Sequence, residues 1–524
     1  MSTITTRTIQ TGCVSFARES ETAGYLSLQA IDQAYRRCRQ RKRKTYQACL
    51  YEQQLLDHLV QTRDALAHQS WFPRPPVVFT VTKPKNREVY AAHYQDRVVH
   101  HWLVRELEAL IDRDFIHDAA ANRTQRGTHF AVARLQRFMR CYHTKAWFLQ
   151  LDISNFFNSI HHPTLLALLA HKLAKAQRRH GLSSAKAGVL FEVAQRIIEQ
   201  PCALQAIHIS AKEAYQRVPM HKRLECAPPH TGLPIGNLTS QFFANLYLNE
   251  LDQFIKHQLR CRHYVRYVDD FIILHAHARQ LQHWQDAIAS FLHDTLHLRL
   301  KTPVTLAPIQ NGANFLGYIV RPSYLLVRHR VVANLYNTLH IQTKQCMLPV
   351  AQGYRLELTP KWRDALRSTL ASYGGHFRHA QSYRLHAQIL HDFPWLALLF
   401  CDVLCQRPRW QPECVTSMST QWRWYQTHYP GSILLVECGR ELLCSALPGH
   451  IKAKVYQGSA HLAAWSVPMQ RLADVQSELE AQQRYYIFCS EQGYLKGGLK
   501  RRCVRTLYLP QSQYFDILKS LPTF

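Results

Sequence analysis

The chain has 524 residues, too many for one compact core, and is 47% hydrophobic and 11% aromatic, which excludes a disordered or low-complexity protein. Its 64 Lys and Arg outweigh 36 Asp and Glu for a formal net charge of +28. Such an excess points to a polyanionic partner and argues against an acidic-surface or anion-repelling role.

Leu26 to about Ser70 reads as helical and carries the basic run RRCRQRKRK, Arg36 to Lys44, either a solvated face or a phosphate-gripping helix. FPRPP breaks it, and VVFTVTKPKNREVYAA then reads as two strands around a turn bearing Lys83, Lys85 and Arg87. AWFLQLDISNFF reads as a strand ending at Asp152. A basic, helix-prone stretch runs from His161 to about Gln216, followed by the Pro- and Gly-rich loop APPHTGLPIGN and an amphipathic helix, LTSQFFANLYLNELDQFIKHQL. YVRYVDDFIILHA, Tyr264 to Ala276, sets two aspartates inside an apolar, β-prone run, so a hairpin is expected with Asp269 and Asp270 at its tip. Ala278 to His297 is another amphipathic helix, ANFLGYIV a further strand, and Tyr336 to Arg407 is mainly helical. CQRPRWQPEC has the prolines of a linker, and the remainder alternates strand and helix as a small α/β domain would.

No apolar stretch reaches the length of a membrane span; FPWLALLFCDVLC is too short and reads as a core helix. MSTITTRTIQ lacks an apolar signal core, and the 15 scattered cysteines contain no C-x-x-C pair. A cytoplasmic protein with reduced thiols and no membrane partner is expected.

A carboxylate pair in an apolar strand is costly unless something pairs with it. Asp152 and Asp269 both stand at strand ends, and two such carboxylates on one sheet can bridge two Mg²⁺ ions about 4 Å apart, as in-line displacement at phosphorus requires. Read alone, each motif also fits an ordinary polar turn. Together, FLQLDISNFF, GLPIGNLTSQFFANLYLNELD, YVRYVDD and NFLGY resemble, in order, the blocks of a reverse transcriptase. The resemblance covers about residues 20 to 400. It implies an α+β right-hand polymerase fold: fingers and palm with an antiparallel sheet over residues 1–335, and a helical thumb over 336–410. It also implies RNA-directed DNA polymerase activity, with Asp152, Asp269 and Asp270 catalytic. Asp152 and Asp269 ligate the metals, Mg²⁺ with Mn²⁺ able to replace it, with Asp270 in support and Ile153 also placed at the metal. Lys83 and Arg87 fall where cations meet the incoming triphosphate. Phe157 falls at the steric gate that favours dNTPs, and can equally be core packing.

TGLPIGNLTSQ departs from intron and retroviral enzymes, which usually have Gln where this chain has Ile235 and Pro where it has Gln241. Both positions belong to the nucleotide pocket by the same resemblance. This version is similar to reverse transcriptases of diversity-generating retroelements, as are REVYAAHYQDRVVHHWLV, RTQRGTHFAVARLQRFMR and SYGGHFRHAQSYRL. That membership implies copying a template RNA, from a DNA or RNA primer, into cDNA with errors at template adenines, and a small basic accessory protein as partner. Arg123 and Arg126 are expected nucleic-acid contacts. Residues 416–524 resemble the N-terminal domain of MutS, through the strand after Pro430, Gly439, Glu491-Gln492 and the basic strand before Pro510. The mismatch wedge of MutS has no counterpart here. KGGLKRR offers Lys496, Arg501 and Arg502 to phosphates, or the module is a structural appendage. Three alternatives remain open at this point: an enzyme of group II intron mobility, one of phage defence, and a nucleic-acid-binding scaffold without catalysis.

Overall fold

The computed structural model describes residues 25–521 apart from 41–44, 83–84, 143–144, 351, 403–406, 413–414, 457–461, 463 and 496. Lys83 and Lys496 therefore lie outside the described residues. The chain forms two compact units, Met1–Leu316 with Val320–Ser323, and Gly317–Ile319 with Tyr324–Phe524.

In the first unit the N-terminal expectation resolves into helices Leu28–Arg39, Tyr46–Gln53 and Leu55–Ala67. Strands β1 (Val77–Val81) and β2 (Arg87–Ala91) pair antiparallel, from Val77↔Ala91 to Val81↔Arg87. Helix Tyr94–Ile111 buries Val98, Val99, Trp102, Leu103 and Leu107, spaced three and four apart as one helix face requires. A second sheet holds β3 (Trp147–Leu151), β4 (Tyr264–Tyr267), β5 (Asp270–His275) and β6 (Thr305–Pro308) in the order β4-β5-β3-β6, every pair antiparallel. Helix Leu238–Gln253 runs through the core of this unit and then widens into a π turn, Phe254–Gln258. It is buried on nearly every side, because Phe242, Phe243, Leu246, Tyr247, Leu248 and Leu251 point in all directions from its axis. That is more burial than an amphipathic reading implies.

The second unit differs from expectation. The stretch read as mainly helical contains a hairpin, β7 (Met347–Val350) and β8 (Gly353–Glu357), between helices His329–Cys346 and Pro360–Phe377. Six strands of one sheet lie further along: β9 (Ile433–Cys438), β10 (Glu441–Cys444), β11 (Lys454–Val455), β12 (Trp465–Pro468), β13 (Tyr486–Tyr494) and β14 (Lys500–Pro510). They join the hairpin in one sheet of eight strands, ordered β7-β8-β14-β13-β9-β10-β12-β11. β8 pairs with β14 from Gly353↔Pro510 to Glu357↔Thr506. Gly353 permits that approach, since a Cβ there would stand 2.3 Å from the Leu509 carbonyl oxygen. One apolar core runs from Leu335 through Trp395 and Trp410 to Leu521. The boundary expected between 410 and 416 is thus not a break in the structure. Of the expected linker, Arg409 and Trp410 are buried, and the Trp410 carbonyl accepts the Val504 N–H at 2.8 Å. Proline content suggested a linker, but the indole and guanidinium there belong to a core.

Candidate active site

β3 and β5 run antiparallel with Leu151 opposite Phe271, so one step further the two chains present Asp152 and Asp270 side by side. β4 and β5 form a hairpin closed by Tyr267↔Asp270, leaving Val268 and Asp269 as its two-residue turn. Val268 has φ +58°, a left-handed conformation that a β-branched residue adopts only when its surroundings impose it. Arg266 imposes it here. Its buried guanidinium donates to the Val268 carbonyl at 3.0 Å and to Asn245 Oδ1 at 3.2 Å. It also grips Asp252 with two bonds, at 2.8 and 2.6 Å. Asp252 accepts a third bond, from the Tyr264 hydroxyl, at 2.6 Å. The turn that carries Asp269 is therefore fastened to the central helix by a buried ion pair.

The carboxylates feel one another. Burial, then the charge of Asp152, pushes Asp269 up to about 6, while Arg87 and Lys301 act in the opposite sense. Burial pushes Asp270 up to about 7 against the Gln150 hydrogen bond, with Asp152 and Asp269 adding to the rise. Gln150 Nε2 donates to Asp270 Oδ1 at 3.0 Å and to the Asn314 carbonyl at 3.1 Å, which fixes the Asp270 carboxylate to the sheet. Lys301 Nζ lies 2.8 Å from Asp152 Oδ2, and the hydrogen bond raises the ammonium's pKa. It is held there by backbone pairing: Lys301 N–H donates to Asp152 O at 2.8 Å and Ser154 N–H to Arg299 O at 2.9 Å, around the bridge Ile153↔Leu300.

This donor set suits a hard divalent cation, being made of carboxylate oxygens that repel one another and already draw an ammonium. Among the described residues no cluster of three or more His, Cys, Asp or Glu closes around a single ion position. Gln150 engages Asp270, and Lys301 engages Asp152.

Arg87 is exposed at the start of β2, and its charge reaches Asp269. Phe157 is half-buried, edge-on to Phe156 at 5.4 Å, and its carbonyl accepts the Leu233 N–H at 2.8 Å. Ile235 is half-buried, and its carbonyl accepts the Tyr90 N–H at 2.7 Å. Gly236 next to it, at φ +126°, would put a Cβ 2.5 Å from Tyr90 O, so the loop lies directly on β2. Gln241 sits half-buried in the first turn of helix Leu238–Gln253. Arg87, the Ile235 loop, Phe157 and the carboxylates thus belong to elements that touch or face one another.

The expected nucleic-acid contacts fare differently. Arg123 is not available to phosphate: its guanidinium holds Asp112 and the carbonyls of Ile116 and Ala119, and its side chain is 8% exposed. It pins the loop whose Ala119 and Ala120 cover the edge of β4 at Arg266. Arg502 is likewise buried, bound to Glu491, the Glu437 carbonyl and Cys438. Basic residues in a basic chain read as surface, but these two guanidiniums are buried, Arg123 against the partly exposed Asp112 and Arg502 against Glu491. Arg126 is half-buried over the Phe130 ring and donates to His117 O, and Arg501 is half-buried and donates to Gln492 O. Lys301, Arg266 and Gln150 went unread. Gln150 and Arg266 lie inside the blocks FLQLDISNFF and YVRYVDD, while Lys301 lies 149 residues from its partner and carries no local signal.

A profile described as reverse transcriptase (RNA-dependent DNA polymerase) matches residues 83–320, which span all of these carboxylates. Residues 83–320 are a reverse transcriptase domain. The domain is that of an RNA-directed DNA polymerase. The chain is 23% identical to protein YkfC of Escherichia coli (strain K12), over 52% of this chain and 74% of YkfC. It is 22% identical to the group II intron-encoded protein LtrA of Lactococcus lactis subsp. cremoris, over 49% of this chain and 48% of LtrA. Among solved structures, a truncated apo telomerase from Candida tropicalis matches with a TM-score of 0.36 and 13% identity, covering 48% of this chain and 55% of that one. The chain therefore spans about half the length of LtrA and of the telomerase. Among the described residues no helix is long and apolar enough to cross a membrane.

Proposed function

We propose that this chain copies a template RNA into DNA by two-metal nucleotidyl transfer, as the error-prone reverse transcriptase of a diversity-generating retroelement. The observation that carries the catalytic part is the convergence of Asp152, Asp269 and Asp270 at the end of β3 and the tip of the β4–β5 hairpin. Asp152 and Asp269, with the carbonyl of Ile153, would hold the ions, and Asp270, braced by Gln150, adds negative charge beside them. Bound there, divalent ions activate the primer 3′-hydroxyl and stabilise the leaving pyrophosphate. Arg87 offers a guanidinium to the triphosphate of the incoming dNTP. The ring of Phe157 excludes a ribose 2′-hydroxyl. Ile235 brings no polar atom to the nascent pair, so a displaced base loses no hydrogen bond there. In this reading residues 1–335 are the fingers and palm, and the helices between 336 and 410 form the thumb. Residues 416–524, with six of the eight strands of the second unit's sheet, are the MutS-like part; Arg126 and Arg501 remain the cations to test against RNA, and a small basic protein is the partner.

The decisive variant is Asp269→Ala. It removes a metal ligand and leaves the basic surface, so primer extension on RNA should vanish while RNA binding stays within about twofold. Full-length cDNA from the variant would overturn the assignment. The similarity to LtrA favours an intron-type enzyme as a second reading. Sequencing cDNA made by the wild type decides between them: errors concentrated at template adenines support the retroelement, and a flat spectrum supports the intron type.

A further inference from the structure

The stretch from Ile207 to Leu224 belongs to none of the reverse transcriptase blocks, yet it is fastened at both ends of the nucleotide pocket. It begins alongside β1, where Val77↔Ile207 and Val78↔His208 pair in parallel and Thr80 N–H donates to Ser210 Oγ at 2.8 Å. It then folds on itself: Val218 is fully buried, and Arg223 lies over the Tyr215 ring and donates to Val218 O at 3.0 Å.

Four side chains from two other elements grip its backbone. From the β1–β2 hairpin, Asn86 Nδ2 donates to Arg217 O at 3.0 Å, and the Glu88 carboxylate accepts the Leu224 N–H. From the turn after Asp152, Asn155 Nδ2 donates to His221 O, and Asn158 Nδ2 donates to Arg223 O at 3.3 Å. The Leu224 side chain packs with Val78, Tyr90 and Cys202, and reaches Gly232, where a Cβ would stand 2.6 Å from its Cδ1. The positions are telling. Asn86 and Glu88 flank Arg87, and Asn155 and Asn158 bracket Phe156 and Phe157. A loop that only had to satisfy its own backbone could do so with water, whereas this one is bound from both sides by the neighbours of the two proposed nucleotide contacts.

We propose that residues 217–224 form a tie that sets the separation of Arg87 and Phe157, with Asn86, Glu88, Asn155 and Asn158 as its positioning residues. The inference rests on the reverse transcriptase reading for what the pocket holds. Slackening either end lets the Arg87 hairpin drift from the gate. Triphosphate is then held less well and the sugar is checked less strictly, while the metal-binding carboxylates keep their places. The signature is a raised dNTP KM and a lowered preference for dNTP over rNTP at nearly constant kcat.

Asn155→Gly is a clean cut, because Asn155 has φ +51° and glycine accepts that conformation without strain. Asn86→Ala cuts the other end. Each should raise dNTP KM and lower sugar discrimination by between about twofold and about tenfold, the equivalent of one net hydrogen bond. Glu88→Gln, which keeps an acceptor for Leu224 N–H, should match the wild type, and Glu88→Ala should not. A readout independent of catalysis is hydrogen exchange on the full chain. Asn155→Gly should speed exchange over residues 85–90, which it does not adjoin in sequence. Unchanged protection there, or a fall in kcat at constant KM, overturns the tie. If the wild type extends no primer, the polymerase reading fails, and the exchange result still decides whether the tie exists.

Discussion

Arg266 gives the sharpest test of how the acidic tip is held. It is 1% exposed, and Asp252 is fully buried, so removing the guanidinium strands a carboxylate in the core with only the Tyr264 hydroxyl as partner. Breaking such a pair costs about 3–5 kcal/mol. In a unit of this size Arg266→Met should lower the unfolding midpoint by roughly 4–8 °C. The same change releases the Val268 carbonyl from its 3.0 Å bond, and with it the left-handed turn that aims Asp269. A hydrogen bond from a charged donor contributes about 1.5–3 kcal/mol, so kcat should fall by about tenfold to a hundredfold. The two effects separate in the double variant Arg266→Met with Asp252→Asn. Asparagine still accepts from Tyr264 and carries no stranded charge, so much of the lost stability returns. Nothing holds Val268, so extension stays slow. Thermal unfolding by circular dichroism and single-turnover extension on one RNA template measure both quantities. Recovery of kcat together with stability would show that Arg266 only supports the fold, and a midpoint shift under about 2 °C in the single variant would refute the burial argument itself.

Three other outcomes follow. Ile235→Gln should lower misincorporation opposite template adenine, by up to about tenfold for one added hydrogen bond, and more than opposite other bases; equal error spectra in sequenced cDNA would place the infidelity elsewhere. His100 is buried against Thr239 Oγ1, and burial pulls its pKa down to about 3. The native state keeps it neutral while the unfolded chain binds a proton near pH 6.5, so its contribution is complete above that pH and shrinks below it. Between pH 7 and pH 5 wild type should lose about 2 kcal/mol more than His100→Gln in urea unfolding, and equal losses would contradict this. Truncation after residue 415 should not release an independent module but expose β8 and the core around Trp395 and Trp410. Protease digestion within 324–415 should be rapid in the truncated chain, and a resistant fragment there would show that the helices fold without the sheet.

The hairpin around Asp269, the strand ending at Asp152, and the Pro- and Gly-rich loop lying on β2 were all legible, because each depends on residues within a dozen positions. What was illegible depends on partners chosen by the fold. Arg266 carries no sign of its role in the sequence: the strand is covered on both faces, so the arginine is buried and Asp252 is its condition. Arg123 and Arg502 read as surface cations because charge counting cannot see which guanidiniums the fold covers. The hairpin Met347–Glu357 was hidden in a helical stretch because its stabilising partner, β14, lies at the far end of the chain. Lys301 has no pattern of its own; only the pairing of 299–301 beside 152–154 delivers it.

These elements share one electrostatic logic. Three carboxylates brought together would spread apart or protonate in a pliant loop; burial first, and the neighbouring carboxylates after it, raise Asp269 and Asp270. The scaffold opposes it with parts that titrate far from neutrality or not at all: a buried arginine behind the turn, a glutamine amide on Asp270, a backbone ladder under Asp152. The repulsion so maintained is relieved only by positive charge. Lys301 supplies one unit, from a side chain 57% exposed, whereas a divalent ion would supply two. On the proposed reading, the arrangement that makes the tip unfavourable as a piece of folded protein would make it favourable as a cation site, which would account for an acidic pair in an otherwise apolar hairpin.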